Sequence, residues 1–422
     1  MRVSAAAALA AFFLALPALH AAGPSLSKPE DVGLSSERLR RVEPIIRNHI
    51  AAKDLTGAVT LVARRGKVVH FAAFGTTDLD SNAPMRTDTL FRLASMTKPV
   101  TAVAILMLME EGKLILGDPV SKYIPEFKNP KVAVLNAPSD PRGAGVKLVT
   151  ADHEVTLQHL LTHTAGLADG STEGPAAAFW RDARMSEPLS LAEYSKRVGS
   201  LPLRFQPGTQ WEYSPGAGFG VLGRVVEIVS GMSLDQFFRQ RIFNPLGMNN
   251  TFFDIPQNRL ADVASVYAMT GKGLVKQQPP AARPAGVEFF SGAGGLTGST
   301  EDYLRFAQML LNGGQLEGTR LLSRKSIELM SDNAVGDLDL GNYFVEGQEL
   351  KGYGFGLGVR VRGSNGASGW LGSVGDYGWA GANGTYFWID PKEQLIGMVM
   401  MATRVGRLRT EFPNAVYQAV ID

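Results

Sequence analysis

The run Pro99-Val100-Thr101-Ala102-Val103-Ala104-Ile105-Leu106-Met107-Leu108-Met109 has no charged residue and no polar face. A segment apolar on every side predicts a helix buried all round, at the centre of a domain. Just ahead of it stands Ser95-Met96-Thr97-Lys98. The mouth of the predicted helix therefore carries a hydroxyl, with an amine one turn further in. Positions i and i+3 share a helix face, so the Lys98 nitrogen can reach the Ser95 oxygen. A serine beside a lysine able to lose its proton is a nucleophile that needs no histidine. Pro99 suits a first turn, and a helix N-terminus favours negative charge growing on the serine oxygen. The plainer alternative is a capping serine beside a lysine that stretches towards solvent. The spacing alone says little, because Ser25-Leu26-Ser27-Lys28 repeats it between Pro24 and Pro29 with no helix behind. That copy is assigned no chemistry.

The chain has 422 residues, enough for a large core and for two domains. Its net charge of +2 calls for no acidic partner. No basic stripe with interleaved aromatics is present, which argues against nucleic acid. Arg2, the apolar run Ala5 to Leu16, Pro17 and the small residues Ala21 and Ala22 read as a secretory signal over residues 1–22. The alternative is an uncleaved anchor. The mature chain is expected to be exported, most simply to a periplasm, with no membrane span. The absence of cysteine excludes disulfides and thiolate chemistry.

Strand patterns lie at both ends. Ala58 to Ala63 and Val68 to Phe74 flank the turn Arg64-Arg65-Gly66-Lys67. Phe355 to Val361, Thr385 to Ile389 and Leu395 to Met401 follow near the other end. Ser36 to Ala51 predicts one amphipathic helix, and Tyr303 to Leu311 another, capped by Ser299 or Thr300. The middle is mainly helical, at Leu157 to Thr162, Leu191 to Val198, Gly218 to Val229 and Leu234 to Ile242. Long loops at 128–153, 168–188 and 336–351 are expected to shape a pocket. The resulting architecture is α/β (α+β). Residues 23–92 and 285–422 form a domain with an antiparallel sheet flanked by helices, and 93–284 form an inserted, mainly helical domain. A site made by both parts lies in the cleft between them.

Two further segments can carry chemistry. Tyr213-Ser214-Pro215 follows the turn Pro207-Gly208, and a phenol on such a loop can face a cleft. Beside a cationic lysine its pKa is expected to fall, which suits a general base. The alternative is a half-buried core tyrosine. Gly378-Trp379-Ala380-Gly381-Ala382 is read as opening the strand that runs on through Thr385. Small residues there let a substrate lie along the strand, with a backbone N–H facing a carbonyl oxygen. The alternative is a packed tryptophan with turn glycines. His159 and His163 sit four apart, but they lack the glutamate of H-E-x-x-H and a third ligand, so a structural role is preferred and no metal is assigned. G-x-S-x-G is absent, which disfavours a serine–histidine–aspartate enzyme.

Serine–lysine, then tyrosine, then a glycine-rich strand resembles the serine β-lactamase and penicillin-binding protein superfamily. The class C β-lactamase-like branch, with the family VIII carboxylesterases, is the nearest match. Phe91-Arg92-Leu93-Ala94-Ser95-Met96-Thr97-Lys98, Leu160 to Leu167, Pro207 to Ser214, Gly294-Gly295-Leu296 and Gly384 to Pro391 carry that resemblance. It implies a β-lactamase/transpeptidase-like fold and no cofactor. It implies that Ser95 is acylated, that Lys98 and Tyr213 form the base system, and that the N–H groups of Ser95 and Ala382 form an oxyanion hole. Two departures bear on the substrate. Pro215 stands where β-lactamases of the branch carry asparagine, and Trp379 where they carry lysine. Trp379-Ala380-Gly381 looks instead like the esterase motif, so Trp379, Gly381 and Pro215 are expected to border an uncharged acyl or alcohol group. The expectation is a carboxylesterase acting on small or medium esters. A β-lactamase or D-amino-acid peptidase is the runner-up, and a non-catalytic sensor of peptidoglycan or β-lactams the rival of another class. Oligomeric state is left open.

Overall fold

A computed structural model describes residues 23–136, 145–169, 173–185, 189–279, 286–341 and 351–422. The expected signal, residues 1–22, lies outside them.

The strand Gly57–Arg64 is buried along its whole length, as are Tyr386–Asp390 and Leu395–Met401. Strands without a polar face must be covered on both sides. They form the centre of an eight-stranded sheet drawn from both ends of the chain. Its order is Tyr353–Phe355, Arg360–Arg362, Tyr377–Ala380, Tyr386–Asp390, Leu395–Met401, Gly57–Arg64, Lys67–Asp78 and Ala83–Pro84. Every neighbouring pair is antiparallel. The amino-terminal hairpin therefore docks beside the carboxyl-terminal one, with Val59 opposite Met400.

Successive strand residues point to opposite faces. Phe387 meets Tyr303 on the helix Thr300–Leu311, with ring centroids 4.9 Å apart. Trp388 meets Phe412 and Tyr417 on the C-terminal helix Leu408–Tyr417, at 5.6 and 6.2 Å. The two helices thus cover opposite faces. Gly397 lies opposite Trp388, and a Cβ there would come within 2.0 Å of the indole. Only glycine leaves that ring its place.

The helix Thr97–Glu110 is buried from Thr97 to Leu108, as its apolar sequence requires. It packs against the helix Ala217–Ser230. Short strands Leu90–Arg92, Thr297–Ser299 and Thr251–Phe252 form a second sheet beside its start. Among the described residues, no single helix is long and apolar enough to cross a membrane.

Several elements differ from the sequence reading. Ser36 to Ala51 is two helices, Ser36–Leu39 and Val42–Ala51. Pro44 has no N–H to give the Arg40 carbonyl, so the first helix stops and a second starts. The span 128–153 contains an antiparallel pair, Lys131–Leu135 with Val146–Thr150, and residues 137–144 between them lie outside the described set. The span 168–188 contains the helix Ala177–Asp182. Phe355 to Val361 is not one strand: Gly358, at φ 78°, helps reverse the chain between Tyr353–Phe355 and Arg360–Arg362. Likewise Gly378 to Ala382 does not run on into Thr385. Gly384, at φ 110°, lies in a turn that folds Tyr386–Asp390 back on Tyr377–Ala380.

One ion pair anchors this end of the sheet. Arg362 Nε donates to Asp376 at 2.5 Å, both side chains being almost fully buried. Breaking a buried pair strands the surviving charge. Asp376→Asn should lower stability by about 3–5 kcal/mol, read from urea denaturation midpoints.

Candidate active site

Ser95 sits in a short turn, Ala94–Met96, that leads into the buried helix. Ala94 just before it has φ 47°, a left-handed conformation that side chains rarely adopt. The surroundings hold this strained bend in place. Leu93 N–H donates to Leu296 O at 2.9 Å, and the Tyr303 hydroxyl donates to Met96 O at 2.9 Å. The serine hydroxyl is thereby presented half-exposed at the head of the helix.

Lys98 is fully buried. Its Nζ lies 2.7 Å from Pro215 O, 2.7 Å from Ala293 O and 3.1 Å from Ser95 Oγ. Burial pulls its pKa well below the ordinary lysine value. A neutral amine has two hydrogens and one lone pair. The two carbonyls take the hydrogens, which leaves the lone pair facing the serine. No carboxylate is needed to orient it. The second copy, Ser25 to Lys28, is extended, with both of those residues exposed.

Tyr213 hydroxyl donates to Ser95 Oγ at 2.7 Å. Its loop is fastened to the segment after the helix Leu157–Leu161: Gly208 N–H donates to Thr164 O at 2.8 Å and Glu212 N–H to His163 O at 3.0 Å. An aromatic wall holds the phenol ring. Trp379 lies 5.4 Å from it and His163 4.6 Å, while Phe355 packs against both, 5.1 Å from Trp379 and 5.3 Å from His163. The Lys98 nitrogen lies 5.1 Å from the centre of the Tyr213 ring.

The two histidines do not share a helix. His159 closes a capping box with Thr156, and His163 lies past the helix end at φ 58°. His163 Nδ1 accepts from Ser214 N–H at 3.3 Å. Burial holds its pKa well below the ordinary value, so it is neutral.

Gly381 and Ala382 turn the chain beside the serine. A Cβ on Gly381 would come 2.5 Å from Leu93 O, so only glycine allows that approach. Thr385 Oγ1 donates to the same Leu93 carbonyl at 3.2 Å. The Gly381 carbonyl accepts from Gly384 N–H at 3.1 Å and from the buried Arg409 guanidinium at 3.0 Å. That carbonyl and the Ala382 N–H belong to one peptide unit. In a trans peptide they point in opposite directions. Gripping the oxygen therefore aims the N–H away from Arg409.

Ser95, Lys98, Tyr213, Pro215, Trp379, Gly381 and Ala382 sit in this neighbourhood, with two differences of detail. Trp379 is buried, and it backs the tyrosine ring. Pro215 exposes its ring and contributes its carbonyl to Lys98. Sequence reasoning missed Ala293 O, Thr385, His163 as a wall, and Arg409. Backbone carbonyls leave no residue-type signal, and a single arginine in the last helix stands out from no neighbour.

A family model described as Beta-lactamase matches residues 42–421. Protein Rv1367c of Mycobacterium tuberculosis is 35% identical over 320 residues, 75% of this chain and 77% of that protein. Esterase EstB of Burkholderia gladioli is 34% identical over 284 residues, 63% of this chain and 68% of that protein. Among solved structures, EstCE1, described as a hydrolase with promiscuous acyltransferase activity, superposes with a TM-score of 0.74 at 25% identity, covering 92% of this chain and 99% of its own.

At 3.1 Å a neutral Lys98 can accept the Ser95 proton, and a protonated one cannot. Labelling of Ser95 by a fluorophosphonate should be fast in mildly alkaline buffer and slow as pH falls through the lowered Lys98 pKa. It should be lost in Lys98→Met. Mass spectrometry of the labelled peptide reads both results.

Proposed function

The chain belongs to the beta-lactamase family, and from that premise we propose that it is a carboxylesterase working through an acyl-enzyme on Ser95. Membership makes it a hydrolase of the serine β-lactamase superfamily. The observation that carries the finer reading is the Ser95 oxygen held between Lys98 Nζ and Tyr213 OH, at 3.1 and 2.7 Å.

In this reading Ser95 Oγ attacks the ester carbonyl carbon while its proton passes to the Lys98 lone pair. The new ammonium stays bonded to the Pro215 and Ala293 carbonyls, which stabilise it. Negative charge on the former carbonyl oxygen is met by the N–H groups of Ser95 and Ala382. Losing one such donor costs roughly 3 kcal/mol of transition-state stabilisation. As the tetrahedral intermediate collapses, Tyr213 OH gives its proton to the departing alkoxide. Lys98 returns the serine proton to the phenolate through the vacated position. Tyr213 and Lys98 then take a proton from the water that attacks the acyl carbonyl, and Ser95 leaves with its hydrogen restored.

Esters are favoured over β-lactams for two reasons. Trp379 is an uncharged, buried ring where a β-lactam carboxylate would need a cation. Pro215 has no side-chain amide for an acylamido group. The similarity to EstB, an esterase by name, points the same way. The signal-like residues 1–22 support action outside the cytoplasm, in a periplasm.

The test sets p-nitrophenyl butyrate beside a chromogenic cephalosporin. Ester turnover that vanishes in Ser95→Ala is the expected result. Cephalosporin turnover without ester turnover would replace the proposal by the β-lactamase reading, and stoichiometric labelling without turnover by the sensor reading. Tyr213→Phe should lower kcat by about a hundredfold or more, the usual scale for losing proton transfer.

A further inference from the structure

A cavity of about 540 Å³ is walled by Arg92, Lys276, Gln277 and Asn383, with apolar lining that includes Ile255 and Leu260. Two of these residues tie it to the chemistry. Arg92 ends the strand Leu90–Arg92, three positions before Ser95. Asn383 follows Ala382 in the turn whose N–H is assigned to the oxyanion. The volume suits a small or medium substituent.

The two cations on its wall differ. Lys276 is committed to Asp78 and to Asp80, the latter at 2.9 Å. That group of three carries one surplus negative charge. Arg92 is half-buried, and among the described residues its guanidinium has no hydrogen bond and no ion pair. Burial shifts its pKa downward, and among the described residues no carboxylate offsets the cost. A partly desolvated, unanswered guanidinium is unfavourable unless something arrives to pair with it. Its planar fork matches a carboxylate through two parallel hydrogen bonds. The surplus negative charge around Lys276 disfavours a dianion, so a monoanion is the better match.

We propose that this cavity is a subsite for a carboxylate carried on an arm of the ester substrate, with Arg92 as its anchor. The proposal rests on the esterase reading for the reaction and on Arg92 for the selectivity. The enzyme then prefers half-esters of dicarboxylic acids, or esters of carboxylated alcohols, over neutral esters of the same length. The apolar lining holds the arm, and the guanidinium fixes its end.

Three esters separate the cases: p-nitrophenyl butyrate, mono-p-nitrophenyl glutarate with the carboxylate on the acyl side, and p-carboxyphenyl butyrate with it on the alcohol side. Wild-type kcat/KM should be higher for one of the charged esters than for its neutral counterpart, and the better one shows which arm enters. Arg92→Gln should cut that charged-to-neutral ratio at least tenfold, mainly through KM. Arg92→Lys, which keeps the charge and loses the fork, should fall between. An unchanged ratio in Arg92→Gln, or a wild type indifferent to the carboxylate, overturns the proposal. Should Arg92→Gln fail to fold, inhibition of p-nitrophenyl butyrate turnover by free monomethyl glutarate decides it. Inhibition that weakens in high salt supports the subsite, and salt-independent or absent inhibition overturns it. If no ester is turned over, the esterase reading has failed by itself, and calorimetry of monomethyl glutarate with Ser95→Ala still reads the cavity. Binding there that is lost in Ser95→Ala/Arg92→Gln upholds the subsite, and no binding, or binding that survives, rejects it.

Discussion

Everything at the site depends on an amine kept out of water. Lys98 is enclosed on a helix with no polar face, and among the described residues its partners are two carbonyls and a hydroxyl. An acidic neighbour would have fixed a proton on it. Carbonyl oxygens instead hold the nitrogen in place while burial makes the proton easy to lose. In the proposed mechanism the apolar run after Lys98 thus serves the chemistry as well as the core. Its helix must be central for the lysine to be dry, and the sheet and flanking helices exist around it to keep it central.

The second constraint is that the pieces come from far apart. The carbonyl at 293, the phenol at 213, the peptide at 381–382 and the guanidinium at 409 are brought to residues 95–98 by tertiary contacts. Gly381 lies against Leu93 because it has no side chain, and Gly397 yields to Trp388 for the same reason. These close approaches set the sheet against the nucleophile turn with little slack. His163, Phe355 and Trp379 do for Tyr213 what the carbonyls do for Lys98: they leave it one place to be.

Much of this was legible beforehand. The buried helix followed from an unbroken apolar run, and the sheet from strand patterns at both ends. Ser95, Lys98 and Tyr213 could be singled out because the proposed chemistry lies in their side chains, which a residue type reveals. Failures came where backbone decides. The reversals at Gly358 and Gly384 were read as continuous strands because the flanking residues are equally β-prone on either side of the turn. Pro44 broke a helix whose apolar spacing continues across it. The partners of Lys98 are main-chain oxygens, which any residue supplies. Trp379 was read by its character as a surface for substrate, yet its neighbours Tyr213 and Phe355 bury it.

The sheet joins Gly57–Arg64 to Leu395–Met401, the last strand among the described residues. A ribosome delivers Ser95 and Lys98 some three hundred residues before that strand exists. Until then the central hairpin has an open edge. Pairings this distant in sequence form slowly. On the proposed mechanism the full site is framed only once these two strands pair, so the reactivity of Ser95 is a readout of that pairing.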